Sequence, residues 1–345
     1  MNFFKFIIMI ASILPILIGT QAQAAVESLT RSNIITKGYL RCGVHTGLQG
    51  FSIPDSKGNW SGIDVDFCRA VAAAVLSDSN KVKFIPLTVK ERFIALQKGQ
   101  VDILSRNSTW TITRDTTMGI MFVGVVYYDG QGFIVKKNSG IRRLQDLNGS
   151  RICVQDGTTS LINLGDYFRG NGMRFSPLKY GSSDEAIAAY DSDKCSAFTT
   201  DQSQLYAQRS KLKDARDHTI LAKVISKDPL GPAVRQGDDA WFSVVRWALY
   251  AMIIGEELGI TSKNIKLIKK TSKDPRVHRF LGLYSNTTGT GLGLDGGWAY
   301  RIIEQVGNYG EVFERNLGQK SKLKVSRGLN ELWSRGGIQY APPAR

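Results

Sequence analysis

The order of apolar and polar positions predicts that strands and helices alternate along most of the chain. Short apolar runs bounded by glycine or polar turns indicate strands, and longer runs with apolar residues at helical spacing indicate helices. Thr88 with Glu91 and Ser182 with Glu185 form capping boxes that indicate helix starts. The predicted strands are 39–44, 82–86, 101–104, 133–136, 151–155, 175–179 and 197–199, and the predicted helices are 66–76, 88–99, 158–168, 184–190 and 239–258.

This alternation predicts an α/β fold in which mostly parallel sheets are covered by helices. The 345 residues are enough for two domains of ordinary size. The chain is less regular from about residue 281 onward. Gly291, Gly293 and Gly296 there match the spacing of a dinucleotide fingerprint, but they follow a polar turn rather than a strand. We therefore interpret this stretch as a surface loop.

The first 24 residues have the features of a cleavable export signal. Lys5 precedes an apolar run over 6–19, and Ala22 and Ala24 give the small-x-small pattern of a cleavage site. A membrane anchor is the alternative interpretation, but the run is shorter than the ~20 residues a spanning helix needs, and Pro15 interrupts it. We expect a mature protein that is soluble outside the cytoplasm.

Four cysteines occur in two groups, Cys42 with Cys68 and Cys153 with Cys195. In an oxidising compartment they predict two disulfides, for which three connectivities exist. We expect pairing within each group, because each bond then closes a loop inside one domain. A zinc site is the alternative, but no C-x-x-C spacing is present and the three histidines are scattered.

The formal net charge of +15 raises the possibility of nucleic-acid binding. The lysines and arginines are dispersed, however, and no nucleic-acid-binding motif is present, so we expect a solvated basic surface and no nucleic-acid partner. The sequence also has no nucleophile elbow, no H-E-x-x-H and no phosphate-binding loop. Catalysis therefore has weak support, and no cofactor or metal is expected.

Groups suited to binding a free amino acid follow three predicted strands. Such a ligand needs a cation with hydroxyl and amide donors for its carboxylate, and a buried carboxylate for its ammonium. Ligands of open α/β sheets bind beyond the strand ends, where these residues lie. Taken singly, each has a structural explanation as a helix cap, a core residue or a surface ion pair. The candidates are Arg106, Ser108, Thr109, Trp110, Thr111 and Arg114 after one strand, Thr158, Thr159 and Ser160 after the next, and Asp201 after the third.

At these residues the sequence resembles the polar amino-acid family of periplasmic solute-binding proteins, which serve ABC transporters. The resemblance covers roughly residues 36–258, and its form is most similar to the general L-amino-acid binders of broad-specificity uptake systems. The motifs that carry the resemblance include Gly50-Phe-Ser, Gly62-Ile-Asp-Val-Asp-Phe, Ala95-Leu-Gln-Lys-Gly-Gln-Val-Asp, Thr109-Trp-Thr-Ile-Thr, Val154-Gln-Asp-Gly-Thr-Thr and Ala197-Phe-Thr-Thr-Asp.

The resemblance implies a type II periplasmic-binding fold: two α/β lobes, 26–134 plus 232–345 and 135–231, joined by a two-strand hinge. It implies that Phe51 packs on the ligand, that Thr109 and Thr111 hold its carboxylate, that Thr158 and Thr159 bind from the second lobe, and that Asp201 takes the ammonium. Arg114 lies two positions before the usual carboxylate-binding arginine, so Arg106 remains an alternative clamp.

The implied protein is a periplasmic monomer that delivers L-amino acids to the permease subunits of an ABC transporter. A periplasmic enzyme on the same fold is one alternative, for example a cyclohexadienyl-type dehydratase that uses Asp201 or His45 as general acid or base. A sensory or scaffold module is a second alternative, disfavoured because no signalling domain is evident.

Overall fold

We analysed a computed structural model of the chain, which describes residues 27–284 and 287–344. The predicted export signal lies outside the described residues. None of the helices in these two ranges is both long and apolar enough to cross a lipid bilayer.

Fourteen strands and thirteen α-helices are present in the described ranges. The strands are β1 Leu40–His45, β2 Ile53–Pro54, β3 Trp60–Ser61, β4 Val82–Leu87, β5 Ile103–Leu104, β6 Ile120–Phe122, β7 Tyr127–Asp129, β8 Gln131–Lys136, β9 Ser150–Gln155, β10 Phe175–Tyr180, β11 Ala197–Asp201, β12 His218–Ile220, β13 Asp228–Leu230 and β14 Ala233–Arg235. The helices are α1 Leu29–Lys37, α2 Ile63–Leu76, α3 Arg92–Gln97, α4 Ile112–Thr117, α5 Thr159–Gly170, α6 Ser183–Asp191, α7 Gln202–Arg209, α8 Asp239–Glu257, α9 Ile265–Thr271, α10 Pro275–Phe280, α11 Thr287–Gly291, α12 Trp298–Gln305 and α13 Tyr309–Asn316.

Two five-stranded sheets, each covered by helices, form two lobes. Lobe 1 contains the sheet β4-β1-β5-β14-β6, and lobe 2 contains the sheet β10-β9-β11-β8-β12. This arrangement confirms the predicted two-lobed α/β fold. The sheets are mixed rather than mostly parallel, because β14 pairs antiparallel with both its neighbours in lobe 1 and β8 does so in lobe 2. Both strands adjoin a crossing between the lobes, which reverses their direction.

The hinge is a two-stranded antiparallel ribbon in which β7 pairs with β13. The chain enters the second sheet directly after β7, because Gln131 to Val135 already pair with β11. The first crossing therefore precedes Gln131, and the boundary expected at residue 134 is about four residues too late. The second crossing follows β13, which ends at Leu230, and the lobe boundary at 231 stays a prediction.

The apolar face of each sheet packs against its helices, and one disulfide lies in each lobe. Cys42 on β1 is joined to Cys68 on α2, and Cys153 on β9 is joined to Cys195. All four cysteines are buried. Both pairings are those expected from the sequence, and the described cysteines include no free thiol.

The C-terminal part of the chain is more regular than the sequence analysis predicted. Beyond residue 281 it forms α11, α12 and α13, and Asn308 with Glu311 makes a reciprocal capping box at the start of α13. Ile302 and Ile303 of α12 are fully buried in the core of lobe 1. The expectation of an irregular extension was wrong, because these apolar residues complete the lobe 1 core.

Candidate functional site

The ends of several strands converge on a polar space between the two lobes. Its volume is about 340 Å³ when its opening to solvent is included. Six side chains that line it come from lobe 1 and seven come from lobe 2, so neither lobe forms the site alone. The lining residues are His45, Val89, Arg92, Arg106, Asn107 and Thr109 on one side, and Gln155, Thr158, Thr159, Ser160, Thr200, Asp201 and Gln204 on the other.

The two lobes approach each other closely at this cavity. The hydroxyl oxygens of Thr109 and Thr159 lie 3.3 Å apart and share a hydrogen bond across the cleft. Nearby, Gly157 has φ +71°, and a Cβ atom at this position would lie 3.5 Å from Cγ1 of Val89. A glycine fits here because it tolerates the left-handed conformation. The distance also shows that Val89 of lobe 1 lies within van der Waals reach of this turn of lobe 2. The lobes are therefore closed on one another at this edge.

Asp201 presents a buried carboxylate to the cavity at the end of β11. Its side chain is 7% exposed, and no hydrogen bond to its carboxylate comes from the described part of the chain. Burial raises the pKa of Asp201 well above its ordinary value, and the nearby carboxylates of Asp129 and Asp228 raise it further. Arg114 and Arg92 act in the opposite direction. Such a carboxylate is suited to a cationic group of a ligand.

Two arginines of lobe 1 line the same cavity. Arg106 is held by the bond from its Nε to the carbonyl of Leu87 at 2.8 Å. Arg92 donates from Nη1 to the hydroxyl of Ser108 at 3.2 Å, and its buried Nε has no partner among the described residues. Burial lowers the pKa of Arg106 to about 10 and lowers that of Arg92 as well. Both groups stay cationic at neutral pH, because guanidinium groups lose their proton only in strong base.

Arg114 lies behind the cavity wall rather than on it. Its Nη1 donates to the carbonyl of Thr109 at 2.8 Å, and its guanidinium lies 5.2 Å from the ring centroid of Phe93. In this structure Arg114 therefore supports the segment that carries Thr109. The alternative cation, Arg106, is the one that lines the space, together with Arg92, which the sequence analysis did not single out.

The remaining predicted residues divide between the site and its support. Thr158 and Ser160 line the cavity, whereas Ser108 is fully buried beneath it and bonded to Arg92. Thr111 is the N-cap of α4 and accepts from the Arg114 amide, as a cap does. Trp110 stacks on Phe122 with ring centroids 5.7 Å apart, so it packs against the lobe 1 core.

Phe51 does not lie where the resemblance implied. It is 1% exposed and packs in the lobe 1 core, with its ring edge to face against Tyr127 at 5.8 Å. It does not line the cavity between the lobes. Among the residues that line the cavity, the apolar side chain is that of Val89.

A buried carboxylate shapes the lobe 1 side of the site. Asp64 accepts from the backbone N–H of Asn107 at 2.9 Å and from the hydroxyl of Ser105 at 3.1 Å. Asn107 has φ +32°, a conformation that costs energy for a residue with a side chain and is often found at binding sites. Its Oδ1 is buried with no partner in the described ranges. Asp64 therefore holds Asn107 in a strained conformation that presents it to the cavity.

His45 is in the neutral form at the lobe 1 end of the cavity. Its Nδ1 accepts from the amide of Gly47 at 3.0 Å, which leaves Nε2 as the donor. Burial and the neighbouring Arg106 lower the pKa of His45 well below its ordinary value. Elsewhere, no group of three or more His, Cys, Asp or Glu side chains in the described ranges is arranged to hold a metal ion.

The sequence of this site matches a known family. The profile of the bacterial extracellular solute-binding proteins, family 3, matches residues 40–263, which is more than half of the chain. The chain belongs to this family. The matched region includes every candidate binding residue of both lobes, whereas α9 to α13 lie beyond it.

Relatives within this solute-binding family align over nearly the whole chain. The General L-amino acid-binding periplasmic protein AapJ of Rhizobium johnstonii is 54% identical, with 93% of this chain and 94% of the relative covered. The Glutamate/glutamine/aspartate/asparagine-binding protein BztA of Rhodobacter capsulatus is 46% identical, with 93% and 95% covered. Among solved structures, a Brucella ovis ABC transporter / periplasmic binding protein with glutathione bound is similar at a TM-score of 0.89 and 53% identity, with 92% and 99% covered.

Proposed function

We propose that this protein captures a free L-amino acid between its two lobes and presents it to the membrane subunits of an ABC transporter. The observation that carries the proposal is the buried Asp201 carboxylate, which faces the interlobe cavity without a hydrogen-bond donor from the described residues. A folded protein keeps such a group only at a cost, which an ammonium ligand offsets.

The ligand's two charged ends fit opposite parts of the site. Its ammonium pairs with Asp201 of lobe 2. Its carboxylate accepts from Thr109 and from the N-terminal end of α5, where Thr159 and Ser160 lie and where the helix dipole favours an anion. Arg114 stabilises this end, because it holds the Thr109 carbonyl from behind.

The side-chain end of the ligand meets a cationic region. Arg92 and Arg106 line the cavity with one carboxylate, that of Asp201, while His45 is neutral. The two guanidinium groups therefore outnumber the Asp201 carboxylate by one. A zwitterionic amino acid has no net charge and does not change this balance, so a ligand with a second carboxylate or a side-chain amide fits best. This agrees with the names of the relatives, one a general L-amino-acid binder and one a binder of glutamate, glutamine, aspartate and asparagine. Glutathione, named for the Brucella structure, likewise carries a free amino-acid end and a further carboxylate.

Closure of the lobes provides the signal. A ligand that contacts both lobes binds the closed state better than the open one and shifts the population toward closure. The permease subunits then recognise the closed form. We further propose that the protein acts in the periplasm, which agrees with the name of the periplasmic relative AapJ. We also propose that it acts as a monomer.

A dehydratase on the same fold is the less favoured function. It would need a general acid or base, and in the described part of the chain His45 makes no hydrogen bond or ion pair with a carboxylate, while the relatives are named as binding proteins. Mass spectrometry of an incubated ligand separates the two functions, because a binding protein returns its ligand unaltered.

Calorimetric titration of the mature protein tests the proposal. L-Glutamate, L-glutamine and L-alanine are each titrated, and N-acetyl-L-glutamate is the matched control that lacks the ammonium. We expect a Kd of about 1 μM or tighter for at least L-glutamate, and loss of binding for the N-acetyl compound. Absence of heat and of any thermal shift with every L-amino acid would refute the proposal.

A further inference from the structure

The chain continues well past the family match with a segment that packs on lobe 1. We call residues 287–344 the C-terminal extension. Its helices α12 and α13 bury Ile303, Val312 and Phe313 in the same core as α2 and α8. The two helices are close here: a Cβ added at Gly255 of α8 would lie 2.7 Å from Cδ1 of Ile303, so a larger residue would require the Ile303 side chain to shift. The extension is therefore an integral part of lobe 1.

The extension also reaches the hinge. Asn330, which is 3% exposed, accepts from the backbone N–H of Tyr128 at 2.7 Å and donates from Nδ2 to the carbonyl of the same residue at 3.1 Å. Tyr309 donates its hydroxyl to the carbonyl of Val126 at 2.9 Å, and Gln339 donates to that of Val125 at 3.3 Å. One segment thus holds the backbone leading into β7 and the middle of β7 itself.

Asn330 is itself fixed to the body of lobe 1. Arg327 donates from Nε and Nη2 to the carbonyl of Asn330 at 3.2 and 2.9 Å. The same guanidinium makes a buried two-point ion pair with Glu256 of α8, at 2.5 and 3.1 Å. Two-point pairs of this kind hold both groups in one orientation. The contact between Asn330 and the hinge therefore connects the hinge to the longest helix of lobe 1.

The opposite edge of the hinge ribbon leads directly to the binding segment. Tyr128 of β7 faces Pro229 of β13. The carbonyl of Pro229 accepts from the Trp110 amide at 2.8 Å, and Gly231 donates its amide to the Ser108 carbonyl at 3.0 Å. The extension, the two hinge strands and the segment 108–110 are thus joined side by side by backbone and side-chain hydrogen bonds.

We propose that the C-terminal extension is a clamp on the hinge, in which Asn330 is a positioning residue for closure of the lobes. The clamp makes Tyr128 move with lobe 1, so lobe 2 pivots after Tyr128, at Asp129 and Gly130, next to the cavity. By ordering the hinge before ligand arrives, it reduces the conformational freedom that closure must remove. Its effect on affinity rests on the proposed binding function, whereas its effect on the hinge does not.

The variant Asn330→Ala tests the clamp by hydrogen exchange at the Tyr128 amide, measured without ligand by mass spectrometry with residue-level fragmentation. The matched control is Trp333→Phe, which removes another bond of the extension, the 2.9 Å bond from Nε1 to Glu257, without touching the hinge. We expect the Tyr128 amide to exchange about 3- to 10-fold faster in the Asn330 variant only. The radius of gyration of the ligand-free protein in solution scattering should also increase, and the Kd for L-glutamate should rise by a similar factor.

Unchanged exchange at Tyr128 in a folded Asn330→Ala protein would overturn the clamp. Exchange that rises equally in the Trp333 control would overturn it too, because the extension would then act only through general stability. If Asn330→Ala fails to fold, hydrogen exchange of the ligand-free wild-type protein provides the test. A Tyr128 amide that exchanges as slowly as the amides of β1 supports the clamp, and a fast-exchanging Tyr128 amide refutes it. If no amino acid binds, the proposed function is refuted, but the hydrogen-exchange results still test the clamp.

Discussion

Replacement of Asp201 by asparagine should change affinity and stability in opposite directions. The amide has nearly the same shape but cannot neutralise an ammonium. Loss of one partner of a buried, hydrogen-bonded charge pair costs about 2–5 kcal/mol, which is about 30-fold to about 4,000-fold in Kd. L-Glutamate binding measured by calorimetry should weaken by a factor in this range.

The ligand-free protein should become more stable with the same substitution. Asp201 is 7% exposed, and burial raises its pKa because it disfavours the charged form of the carboxyl group. At a pH where Asp201 is ionised, removing this unpaired buried charge should raise the free energy of unfolding by about 1–3 kcal/mol, as measured by urea denaturation. The gain should become smaller as the pH falls, because the wild-type carboxyl then takes up a proton and loses its buried charge.

Asp102 provides the matched control, because it is a buried carboxylate of lobe 1 that already has a partner. It is 2% exposed and accepts from Arg41 Nη2 at 2.6 Å and Nε at 3.1 Å. Asp102→Asn should lower stability by about 1–3 kcal/mol and leave the Kd unchanged. The reasoning is refuted if Asp201→Asn binds L-glutamate as tightly as the wild type, or if it destabilises the ligand-free protein as Asp102→Asn does.

Three further results are expected. Arg92→Met should weaken L-glutamate by about tenfold or more while L-alanine changes little, and equal losses for both ligands in calorimetry would remove Arg92 from the side-chain subsite. Because Asp201 has a raised pKa that a bound ammonium must lower, affinity should fall as pH drops below that raised pKa, and binding should release protons. Calorimetry in buffers of different ionisation enthalpy measures this release, and proton uptake would contradict it. Replacing Cys153 and Cys195 together by serine removes a disulfide that joins residues 42 positions apart. The free energy of unfolding in urea should therefore fall by about 4 kcal/mol while the Kd is retained. An unchanged midpoint of urea denaturation would contradict this.

The local pattern was enough to predict the two-lobed fold and most of the lobe 2 side of the site. Thr158, Thr159 and Ser160 lie just beyond β9, and Asp201 ends β11, so the position of each at the edge of a sheet could be predicted from strand periodicity alone. The disulfides were predictable for a similar reason, since each closes a loop within one lobe. Features that depend on a single strand or turn can therefore be predicted from the sequence.

The lobe 1 side was harder to predict because its side chains are placed by packing between elements. Phe51 was expected at the ligand, yet the ring fills the core against Tyr127. Arg92 was missed because the predicted capping box places the helix start at Thr88. In the structure the helix starts at Arg92, and the amide and hydroxyl of Thr88 donate to the Glu91 carboxylate. Which face of a six-residue helix meets the cavity depends on the sheet beneath it, and the sequence does not contain that information locally.

The C-terminal extension was also misjudged. Its glycine-rich start favours an irregular loop, whereas Ala299, Ile302 and Ile303 further along have the apolar spacing of a helix. The contacts of Asn330 with Tyr128 join residues 202 positions apart, so no local pattern could reveal them.

A crystal structure of the protein with L-glutamate tests the central claim most directly. The account predicts electron density for the ligand between the lobes, with its ammonium nitrogen within about 3 Å of an Asp201 carboxylate oxygen and its side-chain carboxylate directed toward Arg92 and Arg106. Ligand bound outside this cavity, or inside it with the ammonium turned away from Asp201, would contradict the account.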